Sequence, residues 1–182
     1  VDLKTRYLDI QLPEIEIADI LRSRKRKLMK SIFTPELMQG ISTSLSKNEQ
    51  VILFQNRRGF SPYTECPSCG WVPKCDNCDV SLIFHKRTND MNCHYCGFSH
   101  RQYFKCEDCG HTELEMKGFG TEKVEQEIMN YFPQARVSRL DFDTTRRKNS
   151  YEKIISDFEL GKVDILVGTQ MVSKGLDFDN VS

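Results

Sequence analysis

The stretch from Cys66 to Cys109 constrains this chain more than any other, because it holds all eight cysteines as four C-x-x-C pairs: Cys66/Cys69, Cys75/Cys78, Cys93/Cys96 and Cys106/Cys109. Such a pair folds as a tight turn that presents two sulfurs to one face, and four thiolates at about 2.3 Å make the tetrahedral shell of a structural zinc site. Eight sulfurs fill two shells. Joining neighbouring pairs would close loops of only five residues (Gly70 to Lys74) and nine residues (Gly97 to Lys105). Joining the second pair to the third spans fourteen residues, close to the spacing of a zinc ribbon. The expectation is therefore nesting, in preference to neighbour or alternating schemes. Cys75, Cys78, Cys93 and Cys96 pin the tip of an arm, and Cys66, Cys69, Cys106 and Cys109 close its base. The apolar set of this segment, Trp71, Leu82, Phe84 and Phe98 among it, is small enough that a core alone stops sufficing. Metal is the expected staple, since structural zinc contributes roughly 10–16 kcal/mol in small peptides.

Other cysteine chemistries fit less well. Four disulfides would suit a small secreted scaffold, but nothing apart from the cysteines speaks for an oxidising compartment. An iron–sulfur cluster also takes four thiolates, yet the regular doubling of knuckles favours zinc. His85, His94, His100 and His111 fall near the metal sites, where four cysteines per ion leave no vacancy, so they are expected at the surface or behind the ligands. A closed thiolate shell argues against zinc catalysis, and no thiolate is left over for a thiol enzyme.

Apolar residues make up 38% of the 182, enough for an ordinary core, and no apolar run approaches the ~20 residues of a membrane span. No membrane partner is expected. Formal net charge is zero, so no global attraction to nucleic acid follows. Two basic clusters stand out, Arg22 to Lys30 and Arg136, Arg139, Arg146, Arg147 and Lys148, each read as a solvated face. Beginning at Val1 and ending at Ser182, the chain reads as a piece of something longer.

In chain order, Leu8, Ile10, Leu12, Ile15, Ile17 and Ile20 alternate in a way that suits a strand, and the basic run follows as a loop or exposed segment. Thr34 and Pro35 read as N-cap and first turn of a helix with Leu37, Met38, Ile41 and Leu45 on one face. Val51 to Phe54 is an apolar run typical of a parallel strand covered on both faces, emptying into Asn56-Arg57-Arg58-Gly59. After the arm, Gly118-Phe119-Gly120-Thr121-Glu122 is a glycine-rich turn, with Thr121 the expected cap of a helix whose inner face is Val124, Ile128 and Met129. A helix start with free N–H groups can hold a phosphate. Arg136 to Asp141 alternates as a strand. Asp143-Thr144-Thr145 offers caps for a helix bearing Tyr151, Ile154, Ile155 and Phe158, which Gly161 stops. Val163 to Val167 is a further buried strand leading into Gly168 to Asp177. The alternation of strands and helices predicts a parallel α/β sheet with its binding residues past the carboxyl ends of the strands, placing Arg57, Arg58, Thr169 and Lys174 on one edge.

The order of Asn-Arg-Arg-Gly, Cys-Pro-Ser-Cys-Gly-Trp, Gly-Phe-Gly-Thr-Glu, Asp-Phe-Asp-Thr-Thr and Gly-Thr-Gln-Met-Val-Ser-Lys-Gly resembles the primosomal protein N-prime (PriA) family of bacterial replication-restart DNA helicases. The resemblance runs over about residues 15 to 182. It implies the second RecA-like lobe of a superfamily-2 helicase, incomplete here, with residues 1–61 and 116–182 forming the lobe and 62–115 an insertion binding two zinc ions. It further implies a bacterial cytoplasmic enzyme that couples ATP hydrolysis, with magnesium, to 3′-to-5′ movement on forked or single-stranded DNA. Primosome proteins and single-stranded DNA-binding protein are its implied partners. Thr169, Arg57, Arg58, Gly120 and Thr121 match motifs that touch DNA, and Lys174, Gly175 and Asp177 match the nucleotide cleft between lobes. Gln170 stands where a common variant has Asp.

No G-x-x-x-x-G-K-[ST] loop and no acidic magnesium box occur in the sequence. The chain by itself is therefore expected to hydrolyse no ATP, and the family's arginine-bearing motif is expected beyond Ser182. The rival reading is a stand-alone zinc-ribbon module that binds nucleic acid or protein, for which the Gly168 to Asp177 loop has no evident use.

Overall fold

The computed structural model describes residues 14–60, 63–173 and 175–182. The chain divides into two compact units, Val1–Gly40 and Ile41–Ser182. In the first, residues 14–19 carry no regular structure, and Ile15 and Ile17 are 83% and 90% exposed. The strand expected here is not formed over its described part; Leu8, Ile10 and Leu12 lie outside the described residues. Local capping overrides the alternation. Asp19 Oδ1 accepts the Arg22 N–H at 2.9 Å and starts helix α1 (Ile20–Lys25), so the basic run begins as a helix, not a loop. Its cations crowd the last turn, where the helix dipole favours them. Helix α2 (Pro35–Ser46) begins as expected, with Thr34 Oγ1 accepting the Leu37 N–H at 3.3 Å.

The second unit is built on a three-stranded parallel sheet in the order β1 (Val51–Phe54), β8 (Ile165–Gly168), β7 (Val137–Leu140). Every residue of the central strand β8 is buried. Among the described residues, strand β1 itself pairs with β8 only, and the residue before it, Gln50, bridges to Val181. Val51 and Leu53 are buried on one face and Ile52 packs against the core on the other, so the expected coverage of both faces fails only at the last residue, Phe54, which is 55% exposed. Helix α4 (Ser150–Glu159) packs Ile155 and Phe158 against Leu140, Leu166 and Val172. At the start of the sheet the buried Gln50 donates from Nε2 to the carbonyls of Phe158 and Val163, both at 2.7 Å, which closes the end of α4 onto the strands.

Two helix starts differ from expectation. Helix α3 (Thr121–Tyr131) has Gly120 as its N-cap, and it buries Val124 and Ile128 but leaves Met129 45% exposed. Helix α4 starts at Ser150, with Asn149 in the left-handed region at φ 64, because Asp143 to Thr145 are consumed by a turn of their own. Asp141 Oδ1 there accepts the N–H groups of Asp143 and Thr144, and the Thr144 and Thr145 hydroxyls bond back to the Asp141 carbonyl.

Between β1 and α3 the chain rises into the cysteine-rich arm. Its stalk is the antiparallel pair β2 (Tyr63–Glu65) and β6 (Glu115–Lys117), in register from Tyr63 opposite Lys117 to Glu65 opposite Glu115. Beyond the stalk, β3 (Ile83–His85), β4 (Asp90–Asn92) and β5 (Ser99–Arg101) form a small antiparallel sheet. Leu82, Phe84 and Met91 are its buried core, packed against the sulfurs of Cys75 and Cys93.

Asp164, just before β8, binds Arg136 through its backbone N–H at 2.7 Å and Nε at 3.0 Å, tying the entries of β7 and β8 together. The Arg136 hydrogen bond holds the Asp164 carboxyl below its usual range. A carboxyl whose pKa is depressed on folding adds stability above the unfolded value of about 3.9, and loses it as pH falls through the folded value. Asp164→Asn is expected to lower the urea midpoint at pH 7, and the difference from the native chain should shrink as pH falls below the unfolded value of about 3.9 and through the depressed folded value. A difference that persisted in acid would assign the effect to packing instead.

Candidate metal centres and strand-end surface

The four C-x-x-C turns are built alike. In each, the N–H of the first cysteine bonds the carbonyl five residues on, as in Cys66 to Trp71 and Cys106 to His111, and the residue after the second cysteine bonds back to the first. That following residue takes positive φ every time: Gly70, Asp79, Gly97 and Gly110 at 77°, 50°, 79° and 75°. The turn therefore selects glycine, or an aspartate that tolerates the left-handed region. The same bonds point backbone N–H groups at the sulfurs, and Cys96 Sγ receives the Phe98 N–H at 3.5 Å.

The turns converge in two groups, Cys66, Cys69, Cys106 and Cys109 at the base of the arm and Cys75, Cys78, Cys93 and Cys96 towards its tip. Sulfurs are 3.6 Å apart between Cys66 and Cys109, and 3.5 Å between Cys69 and Cys106 and between Cys75 and Cys96. A tetrahedral shell with 2.3 Å bonds has edges of about 3.8 Å, whereas a disulfide needs about 2.05 Å. Donor set and spacing thus fit a four-coordinate zinc ion in each group. The Phe98 N–H foremost draws the Cys96 thiol down to about 6, while the bond to Cys96, followed by burial, pushes Cys78 up to about 12. Zinc entering such a set displaces the protons that remain.

The arm is planted on the carboxyl edge of the parallel sheet. Gly120, Thr121 and Glu122 donate their N–H groups to the carbonyls of Phe60, Arg57 and Gly59 at 3.3, 2.8 and 3.1 Å. These donors are therefore engaged, fastening α3 to the exit of β1. Contact is so close that a Cβ on Gly120 would fall 2.3 Å from the Gly59 oxygen and 2.5 Å from that of Arg58. Thr121 is wholly buried and donates its hydroxyl to the equally buried Asp141 Oδ2 at 2.6 Å.

Of the other expected site residues, Arg57 is exposed and Arg58 half-buried, its guanidinium 5.1 Å from the Phe142 ring centre. Thr169 follows β8, half-buried, with its N–H bonded to the Leu140 carbonyl at 3.3 Å. The strand-end residues Phe54, Gly168 and Leu140 are register partners, so Arg57, Arg58 and Thr169 leave neighbouring strands at one edge. Gly175 and Asp177 are exposed further along, and Lys174 lies outside the described residues. A cleft of about 600 Å³ lies at the other end of the sheet, beside Gln50, Arg136 and Asp164, remote from these motifs.

Sequence reasoning missed a buried charged cluster under the arm. Arg139, expected on a solvated basic face, is 7% exposed, with Nε 3.4 Å from Glu125 and 3.6 Å from Asp141. His85, expected at the surface or behind the ligands, is 7% exposed. Burial holds its pKa and that of the half-buried His94 below the usual range, His94 at about 4. The available signal was the alternation of the strand, which puts Arg139 and Asp141 on the same face as the apolar Val137.

A parallel α/β sheet bearing, on its strand-end edge, an arm with two four-cysteine groups compatible with two zinc ions defines the class of this chain. The family model that matches, over residues 75–101, is the PriA DNA helicase Cys-rich region (CRR) domain. Over the whole chain the similarity is to replication restart protein PriA: 42% identity over 182 residues to that of Bacillus subtilis (strain 168), and 38% over 186 to that of Synechocystis. Against PriA of Haemophilus influenzae it is 39% over 158 residues, 87% of the chain. The chain spans about a fifth of the length of these relatives, 22% in each. The resemblance read from the motifs is borne out as full-chain similarity to a part of PriA. Among the described residues, no helix is long and apolar enough to cross a membrane.

Two outcomes are expected. Cysteine-bound metal, read from the thiolate-to-metal absorption of the Co²⁺-substituted protein, should fall from two ions to one in Cys66→Ser/Cys106→Ser, which empties one nested site, and to none in Cys66→Ser/Cys75→Ser; neighbour pairing would reverse those results. Gly120→Ala should destabilise the chain by about 1–3 kcal/mol in urea titration, since two backbone carbonyls must move.

Proposed function

We propose that this chain is part of an ATP-dependent 3′-to-5′ DNA helicase that acts in replication restart and primosome assembly. In this reading residues 1–61 and 116–182 belong to a RecA-like second helicase lobe and 62–115 to a two-zinc insertion. The observation that carries it is the shared strand-end edge, where Arg57, Arg58 and Thr169 leave paired strands. Basic and hydroxyl side chains there can track a DNA backbone, since phosphate contacts position a strand without reading its sequence. Arg57 and Arg58 take successive phosphates, and Thr169 a third. Thr121 and Gly120 act through the backbone, holding that edge against the arm, with the exposed part of the glycine turn facing the strand. Lys174, Gly175 and Asp177 belong to one wall of an ATP cleft whose magnesium-bound triphosphate is cradled by residues outside this chain.

Each four-cysteine group holds a zinc ion as a structural brace, and the base ion keeps the stalk closed while DNA passes. The work is done in the bacterial cytoplasm, with forked or single-stranded DNA, primosome proteins and single-stranded DNA-binding protein as partners. A second reading, the arm as a nucleic-acid or protein-binding module in its own right, draws on Tyr95 and Phe104, 83% and 74% exposed beside the knuckles.

Fluorescence anisotropy on labelled single-stranded DNA separates the two. Each phosphate contact contributes about 0.7 to the slope of log affinity against log salt. Arg57→Ala/Arg58→Ala should reduce the slope by about 1.4, with both zinc ions retained. An unchanged slope, together with loss of binding in Tyr95→Ala/Phe104→Ala, would transfer the function to the arm. The zinc-loaded chain alone should turn over no ATP, with or without DNA.

A further inference from the structure

Between the arm and the sheet lies a group of side chains that neither the cysteine sites nor the strand-end surface uses. His85 ends β3 and His94 lies inside the third knuckle, and their Nε2 atoms are 2.8 Å apart. Asp143 comes from the opposite side, in the turn after β7. The ligating atoms of these three residues all lie within 4.8 Å of one another. His85 Nδ1 is 3.8 Å from Asp143 Oδ2 and 3.7 Å from Glu122 Oε2.

Asp143 makes the group informative. Its side chain is nine-tenths buried, 10% exposed, and Arg146 takes Oδ1 at 3.0 Å. Oδ2 is buried with no hydrogen-bond partner. Buried carboxylate oxygens are ordinarily satisfied, so one aimed at a pair of imidazoles asks for a cation or a donor. A proton shared by the two imidazoles satisfies their nitrogens but leaves Oδ2 where it is. The charges agree: Glu122, Glu125 and Asp141 gather round one buried guanidinium, Arg139, and Asp143 adds a fourth carboxylate that meets only Arg146 at the rim among the cations paired here. Beside them is a cavity of about 90 Å³ lined by His85, Glu122, Asp143 and Arg146 among others, room for an ion and one or two waters at about 30 Å³ each.

We propose that His85, His94 and Asp143 form a third metal site, for a borderline-soft divalent ion such as Zn²⁺, that ties the arm to the sheet. Two imidazoles and a carboxylate are ligands zinc accepts, with water completing the shell. The ligands come from both sides: β3 and the third knuckle belong to the arm, and Asp143 to the turn after β7. An ion held by all three fixes the arm's tilt on the strand-end edge, whereas the cysteine-bound ions brace the arm internally. Glu122 faces the other nitrogen of His85 and orients that ring.

The probe is Zn²⁺ alone, added to the full chain by equilibrium dialysis and counted by elemental analysis. The native chain is expected to carry one equivalent more than His85→Gln and than Asp143→Asn, with that equivalent weakened at least tenfold in each. Thiolate-to-metal absorption of the Co²⁺-substituted protein should be unchanged by either substitution, which certifies that the arm is folded. The readout is a difference between native chain and variants, so it holds whatever the cysteine groups bind; their failure would appear separately, as absent thiolate absorption. Equal stoichiometry in all three proteins overturns the third site.

Discussion

The backbone clamp at the foot of the arm is the interaction on which the rest depends. Three N–H groups of residues 120–122 meet three carbonyls of residues 57–60, closing the gap where the chain leaves the sheet and where it returns. Without that closure an excursion of this length would dangle from β1 on two independent strands. With it, the arm stands on the same edge that carries the basic residues. Gly120 permits the closure because no side chain larger than hydrogen fits between the two segments. The buried hydroxyl of Thr121 anchors α3 to Asp141, and so to the turn after β7. One short turn thereby joins the ends of the two outer strands, β1 and β7.

The cysteine framework was legible because its determinants are local. Spacing within each pair, the length of the loops between pairs, and glycine or aspartate after the second cysteine are all visible in the sequence, and they define the turn completely. The strands β1 and β8 were legible as apolar runs, β7 as an alternating one, and Thr34 as a cap. What could not be read is what tertiary contacts decide. Phe54 looks like core but ends an edge strand. The N–H groups of the glycine turn look available, yet carbonyls from sixty residues earlier consume them. Asp143 to Thr145 look like caps for α4, yet Asp141 recruits them first into its own turn. Residues 14–19 have the alternation of a strand, but Asp19 can cap a helix immediately, and no strand among the described residues pairs with them.

The charged residues were hardest to read. Arg139 was read as part of a solvated face and His85 as a surface residue or one behind the metal ligands, and both are buried. Burial of a guanidinium is tolerable only among carboxylates, and Glu122, Glu125 and Asp141 supply them from α3 and from β7's exit. The joint between arm and sheet is thus polar where an ordinary domain contact would be apolar. Buried polar contacts of this kind are costly when incomplete and specific in their geometry when satisfied.

The nesting of the two cysteine groups also favours an order of assembly. Closing the base first means bringing together ends separated by thirty-six residues, Gly70 to Lys105, whereas the tip closes over fourteen. Once the tip is closed, only five and nine residues remain free between the two groups. Loop-closure entropy then favours the base by about 0.8 kcal/mol more than before. A chain emerging from synthesis thus meets its second, third and fourth knuckles as successive opportunities: metal captured at the tip draws the stalk strands into register, and the last knuckle completes a base that is already half made.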